Sequence, residues 1–218
     1  MSSLWENENQ INMALRGDKL REHILWIAKE VFLEMGFERA SMDEVARRAA
    51  TSKRTLYAYF ESKDKLFLAI IEFVRQMLAI KLGQPGDYSK KPAEALTLFC
   101  GRCLEIALYK ASIQMMRISM AEAERCAEQA EAYYNSVFSF AQSSIAVYLR
   151  ERFRLSARAS EEAAQRLFAV VMFPRLHRTL FRIDPPLPMF DPHVRTPRID
   201  LRPIRKAVND LLSSFPVA

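Results

Sequence analysis

Ser41-Met42-Asp43-Glu44-Val45-Ala46-Arg47-Arg48-Ala49-Ala50-Thr51-Ser52-Lys53-Arg54-Thr55-Leu56-Tyr57-Ala58-Tyr59-Phe60-Glu61-Ser62-Lys63-Asp64-Lys65-Leu66 contains three helix starts in close succession. Ser41 followed by Glu44 has the spacing of a capping box: the serine hydroxyl accepts from the Glu44 amide, and the Glu44 carboxylate returns to the serine amide. A short helix follows, with Met42, Val45 and Ala46 inward and Arg47 and Arg48 outward, and it stops near Ala49-Ala50. Ser52 caps a second short helix running to about Phe60. Ser62 caps a third, with Asp64 near its positive end.

Working outward, Leu20, Ile24, Ile27, Ala28, Val31, Phe32 and Met35 recur at helical spacing from Lys19, and Gly36 suits a C-terminal cap. Residues 1–17 are polar and aperiodic and read as a flexible arm. Downstream, the helix opened by Ser62 continues through Leu66, Ile70, Phe73, Met77 and Ile80 to Gly83. Further helices are expected at about 92–109, 111–124, 126–153, 160–182 and 201–215, with Ser160 opening the fourth of these and Asp200 the last. Pro174 should kink the fourth. The proline-rich stretch from Asp184 to Pro197 reads as an extended connector. The fold class is all-α: about nine helices, divided into an N-terminal unit over 18–66 and a C-terminal helical unit over 67–218.

The chain has 218 residues, a formal charge of +6, five glycines and three cysteines. Scarce glycine and abundant Ala, Leu, Arg and Glu favour helices over sheet. Three cysteines among apolar residues are too few for a disulfide scaffold, and no apolar run approaches the roughly 20 residues of a membrane span, so a soluble cytoplasmic protein is expected. Cys100-Gly101-Arg102-Cys103 is a CxxC inside an apolar helical segment, with no second pair to complete a zinc set. No nucleophile–base or paired-carboxylate spacing is visible, so neither an enzyme nor a metal or cofactor site is expected.

Two short helices with a three-residue turn between longer helices form a helix-turn-helix, whose second short helix enters the DNA major groove. From Arg47 to Lys65 there are six basic and two acidic residues, a local charge of +4 suited to phosphates. Lys53, Arg54 and Thr55 begin the reading helix beside its cap Ser52, where side chains reach base edges. Tyr57 and Tyr59 can place hydroxyls on phosphates, and Arg47 faces outward beside them. Leu56, Tyr57 and Phe60 also fit a plain core, and Lys63 a solvated helix start.

The run from Gly36-Phe37 through Ser41-Met42-Asp43-Glu44-Val45-Ala46 to Thr55-Leu56-Tyr57-Ala58-Tyr59-Phe60-Glu61-Ser62-Lys63-Asp64-Lys65-Leu66 resembles the DNA-binding domain of the TetR family over about residues 19–67. The resemblance implies a ligand-responsive repressor that binds a palindromic operator as a homodimer. Ser41 would donate to a phosphate, Lys53, Arg54 and Thr55 would approach the groove, and Tyr57 and Lys63 would hold the backbone. Three positions depart from the family pattern: Ala50 and Arg54 replace glycines and Thr51 an apolar residue; the family's common histidine is Tyr59. A left-handed Ala50 costs roughly 1 kcal/mol relative to glycine. These departures leave open an alternative, a helical interaction module that has lost DNA recognition.

Met116-Arg117-Ile118-Ser119-Met120-Ala121-Glu122-Ala123-Glu124-Arg125 with Tyr133-Tyr134 resembles the AefR-like C-terminal subgroup. The family likeness implies dimerisation through the last two helices, by way of Leu167, Phe168, Val171, Leu176, Leu180, Ile204, Val208, Leu211 and Leu212, which on spacing alone could equally be internal core. It also implies a small-molecule effector among Phe99, Cys103, Met116, Met120, Tyr134, Phe138 and Phe173, residues that equally fit an ordinary core. Arg175, Arg178, Arg182, Arg195, Arg198, Arg202 and Arg205 form a basic run that reads as a solvated or acid-paired face.

Overall fold

The computed structural model describes residues 3–189, 191 and 194–215, and side chains from Gly17 onward. Its first four helices are α1 (Ser3–Arg39), α2 (Met42–Arg48), α3 (Lys53–Tyr59) and α4 (Lys63–Leu82). Each of the three expected serine caps is made: Ser41 Oγ accepts from Glu44 N at 3.2 Å, Ser52 Oγ from Thr55 N at 3.0 Å and Ser62 Oγ from Lys65 N at 3.2 Å. The reciprocal half of the capping box is absent among the hydrogen bonds of the described residues. The Glu44 carboxylate instead accepts from Arg47 and Arg48, stronger charged donors within one helical turn.

Two differences from expectation concern α1. Its backbone is helical from Ser3, ahead of the start expected at Lys19. Gly36 interrupts it at φ 74°, and one further turn follows to Arg39. A left-handed break of this kind suits a residue without a Cβ. α1 contributes Ile24, Ala28, Val31 and Phe32 to a core with Val45, Leu56, Leu66 and Ile70. Phe32, Phe37 and Phe67 cluster at its centre with ring centroids 5.1–5.6 Å apart.

Beyond Gly83 come α5 (Pro92–Leu108), α6 (Lys110–Ala121), α7 (Ala127–Tyr134), a π-helical turn (Asn135–Ser139), α8 (Phe140–Phe153), α9 (Ala157–Met172), α10 (Arg175–Leu180) and α11 (Arg202–Leu212). The excess over nine arises from two splits. The helix expected over 126–153 is α7 and α8 joined through the π turn, and that over 160–182 is broken into α9 and α10. Pro174 has no N–H to continue the ladder, so the expected kink is a full break. α9 also starts earlier than expected: Ser156 caps it by accepting from Ala159 N at 3.2 Å, while Ser160 lies buried and donates to the Ala157 carbonyl. Likewise Leu201 is the N-cap of α11, and Asp200 accepts from the Arg202 amide just ahead of it.

The connector before α11 is tied down. Leu187 exchanges hydrogen bonds with Leu108 and Lys110 at 2.8 and 2.9 Å. Arg102 and Glu105, both nearly fully buried, pair at 2.6 Å. Arg102 also donates to the Asp191 carbonyl, and Glu105 accepts from the Arg198 amide at 3.0 Å. A buried pair of this kind is sustained by such extra bonds. Gly101 allows the close approach: a Cβ there would lie 2.5 Å from Leu201.

The stripe assigned to the dimer interface is packed inside the protomer. Leu167, Phe168, Val171, Leu176, Ile204 and Val208 are buried in this single chain, and Leu180, Leu211 and Leu212 pack partly buried against the same core. Helical periodicity identifies a buried face without identifying the chain that buries it.

Candidate nucleic-acid interface and effector cavity

α2 and α3 set up the surface from their caps upward. Ala50 adopts φ 49°, so the turn has its left-handed residue despite lacking glycine. Ser52 and Thr55 hydroxyls bond at 2.8 Å, fixing the start of α3. Lys53 points back to Asp43 on α2, with ammonium and carboxylate 2.6 Å apart. Arg54 is exposed and has no ion-pair partner among the described residues. Tyr57 is 48% exposed, and Arg47, exposed on α2, is held bidentately by Glu44. Arg47 and Arg48 together hold the Glu44 carboxyl down at about 2. Ser41 accepts from its cap donor, which leaves its own O–H directed at solvent. The structure therefore gathers Ser41, Arg47, Ser52, Lys53, Arg54, Thr55 and Tyr57 around the N-terminal half of α3.

Two expected contacts are not part of that surface. The Tyr59 hydroxyl donates to the Gly17 carbonyl at 3.2 Å, fastening α3 to α1. The Lys63 ammonium donates to the carbonyls of Phe37, Glu38 and Ala40 at 2.9, 3.3 and 3.2 Å, and sits 4.4 Å above the Phe37 ring. All three of its donors are used on carbonyls left over at the end of α1, where a cation is favoured. Its role is structural.

At the other end of the molecule a cavity of about 660 Å³ opens between α6, α7 and the α9–α10 break. Met116, Met120, Tyr134, Phe138 and Phe173 line it, five of the seven residues expected around an effector. Phe99 and Cys103 do not: both are buried in α5, where the Phe99 ring packs edge-on against Tyr88 at 5.9 Å. No described residue of α5 lines the cavity, and residue type alone does not distinguish a core helix from a cavity wall. Sequence reasoning missed Arg117, Ser119, Gln142 and His177 at the wall, polar residues that an apolar pattern passes over. A second cavity of about 240 Å³ lies between α1, α4 and α6, bordered by Trp26, Leu33, Val74 and Met115.

Burial pushes the Cys100 thiol up to about 12 and raises Cys103 as well, which disfavours the thiolate that redox sensing requires. Of the arginine run, Arg178, Arg198 and Arg202 pair with Asp184, Asp191 and Asp200. Three of the seven arginines are thus acid-paired, and Arg195 donates to the Asp87 carbonyl at 3.1 Å. Among the described residues no helix is long and apolar enough to cross a membrane, and no three His, Cys, Asp or Glu side chains converge as metal ligands.

The corner between α6 and α7 rests on the DNA-binding half. Asp64, at the start of α4, accepts from Cys126 Sγ and Arg125 at 3.2 and 3.3 Å, and the Arg125 guanidinium lies 4.4 Å above Phe37. The Cys126 thiol is the first cause of the lowered Asp64 carboxyl, with Arg125 adding to it.

Comparison with known proteins agrees with this geometry. A family model described as bacterial regulatory proteins, tetR family, matches residues 24–70, and one described as the AefR-like transcriptional repressor, C-terminal domain, matches 94–192. Among curated proteins, the chain is 42% identical over 64 residues to the HTH-type transcriptional activator FasR of Mycolicibacterium smegmatis, covering 29% of each chain. It is 27% identical over 128 residues to the HTH-type transcriptional repressor NicS of Pseudomonas putida, covering 50% of this chain and 60% of that one. The chain thus spans less than two thirds of the length of these relatives. Among solved structures, a TetR-family transcriptional regulator from Mesorhizobium loti superposes with a TM-score of 0.76 at 21% identity, over 93% of this chain and 99% of that one. The flavonoid-responsive regulator FrrA gives 0.70 at 25% identity, over 92% and 100%.

Proposed function

This chain belongs to the TetR family of bacterial regulatory proteins, and from that premise we propose that it represses transcription by binding a palindromic operator as a homodimer and releasing it when a small molecule binds. The observation that carries the reading is the presentation of Lys53, Arg54, Thr55 and Tyr57 on one doubly braced helix, with Arg54 and the Tyr57 hydroxyl unengaged. The left-handed Ala50 keeps the turn without its glycine, which supports this reading over a module that has lost DNA recognition. Residues 18–66 would bind DNA, and 67–218 would sense and dimerise. The site of action would be the cytoplasm, where the operator is.

Dimerisation would use the outward faces of α9 and α11. Val170 and Phe173 are 62% and 60% exposed there. Exposed Glu161 and Glu162 on α9 complement exposed Arg202, Arg205 and Lys206 on α11, a pairing that suits a two-fold contact. The cavity would hold the effector, and the α6–α7 corner on Asp64 would carry its effect to α4. Half-sites on DNA lie about 34–36 Å apart per helical turn, so a small change in spacing costs phosphate contacts on one side.

Fluorescence anisotropy with DNA flanking the protein's own gene tests the reading. The expected result is salt-sensitive binding that exceeds random duplex by about a thousandfold. Arg54→Ala should relax the base preference, while Tyr57→Phe should weaken all sequences alike. Equal affinity for flanking and random DNA at physiological salt would overturn it.

A further inference from the structure

The larger cavity has a chemical character that the effector reading leaves unstated. Its rings form a chain: Tyr134 and Phe138 stand 5.1 Å apart, Phe138 meets Phe168 edge-on at 6.2 Å, and Phe173 meets His177 at 4.9 Å. Met116, Met120 and Met172 supply polarisable sulfur beside them. Among the described residues no Asp or Glu lines this wall.

Four polar side chains break the apolar surface, Gln142 on α8, His177 on α10, and Arg117 and Ser119 on α6, and the two on α6 carry the argument. Ser119 is 3% exposed, and its Oγ is a buried side-chain oxygen with no hydrogen-bond partner. A buried hydroxyl is normally satisfied, so one left unpartnered in a residue of the cavity wall can take a partner when a ligand packs against that wall. Arg117 donates to the carbonyls of Leu180 and Thr179 at 3.0 and 2.8 Å, both neutral acceptors, and forms no ion pair with a carboxylate among the described residues. Its charge is therefore not neutralised at this wall. Helical spacing puts Ser119 and Arg117 on opposite edges of the stripe made by Met116, Met120 and Ala123.

We infer that this cavity takes a neutral or anionic aromatic compound carrying an oxygen substituent. The rings lie among Tyr134, Phe138 and Phe168, and the oxygen meets the Ser119 hydroxyl. A cation is disfavoured by Arg117, and a saturated chain gains nothing from the ring geometry. This inference rests on the reading of the cavity as an effector site.

Calorimetry on the full-length protein tests it with probes of one size and different character: 2-naphthol, 2-naphthoate, naphthalene and N-methylquinolinium, with laurate as the chain-like control. The wild type should bind 2-naphthol about fivefold tighter than naphthalene, the worth of one hydrogen bond. Ser119→Ala should abolish that preference and leave naphthalene binding unchanged. Because it removes an unpartnered hydroxyl, it should also leave the melting temperature equal or higher. N-methylquinolinium should bind about tenfold more weakly than 2-naphthol, and 2-naphthoate at least as well as naphthalene. Equal binding of naphthol and naphthalene, a preference that survives Ser119→Ala, tighter binding of the cation or of laurate, or no binding by any probe would each overturn the inference. Operator binding is measured without ligand. An intact operator complex with no aromatic binding sinks only this inference, and naphthol binding without operator binding sinks only the regulator reading.

Discussion

Lys63 illustrates how a residue's role depends on neighbours that its own type does not reveal. A lysine at a helix start beside a basic stretch reads as a phosphate contact. In the structure its ammonium closes the end of α1, on the carbonyls of Phe37, Glu38 and Ala40. The two roles separate on substitution. Lys63→Met keeps the aliphatic stem and removes three charge-assisted hydrogen bonds, a loss of about 2 kcal/mol. For a chain of this size that is a fall in melting temperature of roughly 4–8 °C. The slope of operator affinity against salt should stay unchanged. A phosphate-binding lysine would behave in the opposite way: an unchanged melting temperature and a slope reduced by about one. Calorimetric melting and anisotropy titrations over a salt series together decide between them.

At the scale of elements, α2, α3 and α4 were legible because each starts at a serine whose cap is local in sequence, and local interactions are what a sequence displays. The α2–α3 turn follows the same logic. Ala50 at φ 49° carries a Cβ in a left-handed conformation, so Ala50→Gly should raise stability by about 1 kcal/mol, measured by urea unfolding. A destabilisation would mean that the turn has relaxed elsewhere. α2 also makes the protein acid-sensitive. The folded pKa of Glu44, held down at about 2 by Arg47 and Arg48, lies below its ordinary value of 4.5. The stability it contributes is present above the ordinary value and is lost as pH falls from there toward 2. Melting temperature should therefore fall more steeply over that range in the wild type than in Glu44→Gln, which starts lower at neutral pH. Where contacts are distant in sequence, legibility ended. The hydroxyl of Tyr59 finds Gly17 and the α5 side chains of Phe99 and Cys103 turn from the cavity, and neither fact has a local sign. Ser156 and Ser160 are equally good caps by type, and packing chose between them.

At the scale of the whole molecule, the helices that carry the effector cavity also present the face proposed for dimerisation. α9 buries Leu167, Phe168 and Val171 against its own core and turns Val170 outward, while exposed Ala169 and the C-cap Phe173 line the cavity, so one helix serves two surfaces a fraction of a turn apart. The sequence pattern could not separate these surfaces, because both are apolar and adjacent. The outward one is the part available to a second copy. Val170→Glu places a charge at a position 62% exposed in the protomer, where it costs the isolated fold little. In a two-fold contact the same change buries two like charges close to the axis, which disfavours association strongly. Sedimentation velocity should therefore show a dimer for the wild type and a monomer of unchanged helicity for Val170→Glu. Operator affinity should drop by about a hundredfold or more, because each half-site would then be bound without the effective concentration supplied by its twin. Affinity for random duplex, which needs only one basic surface, should change far less. A Val170→Glu protein that remains dimeric would move the interface off this face of α9 while leaving the reading helix and its contacts untouched.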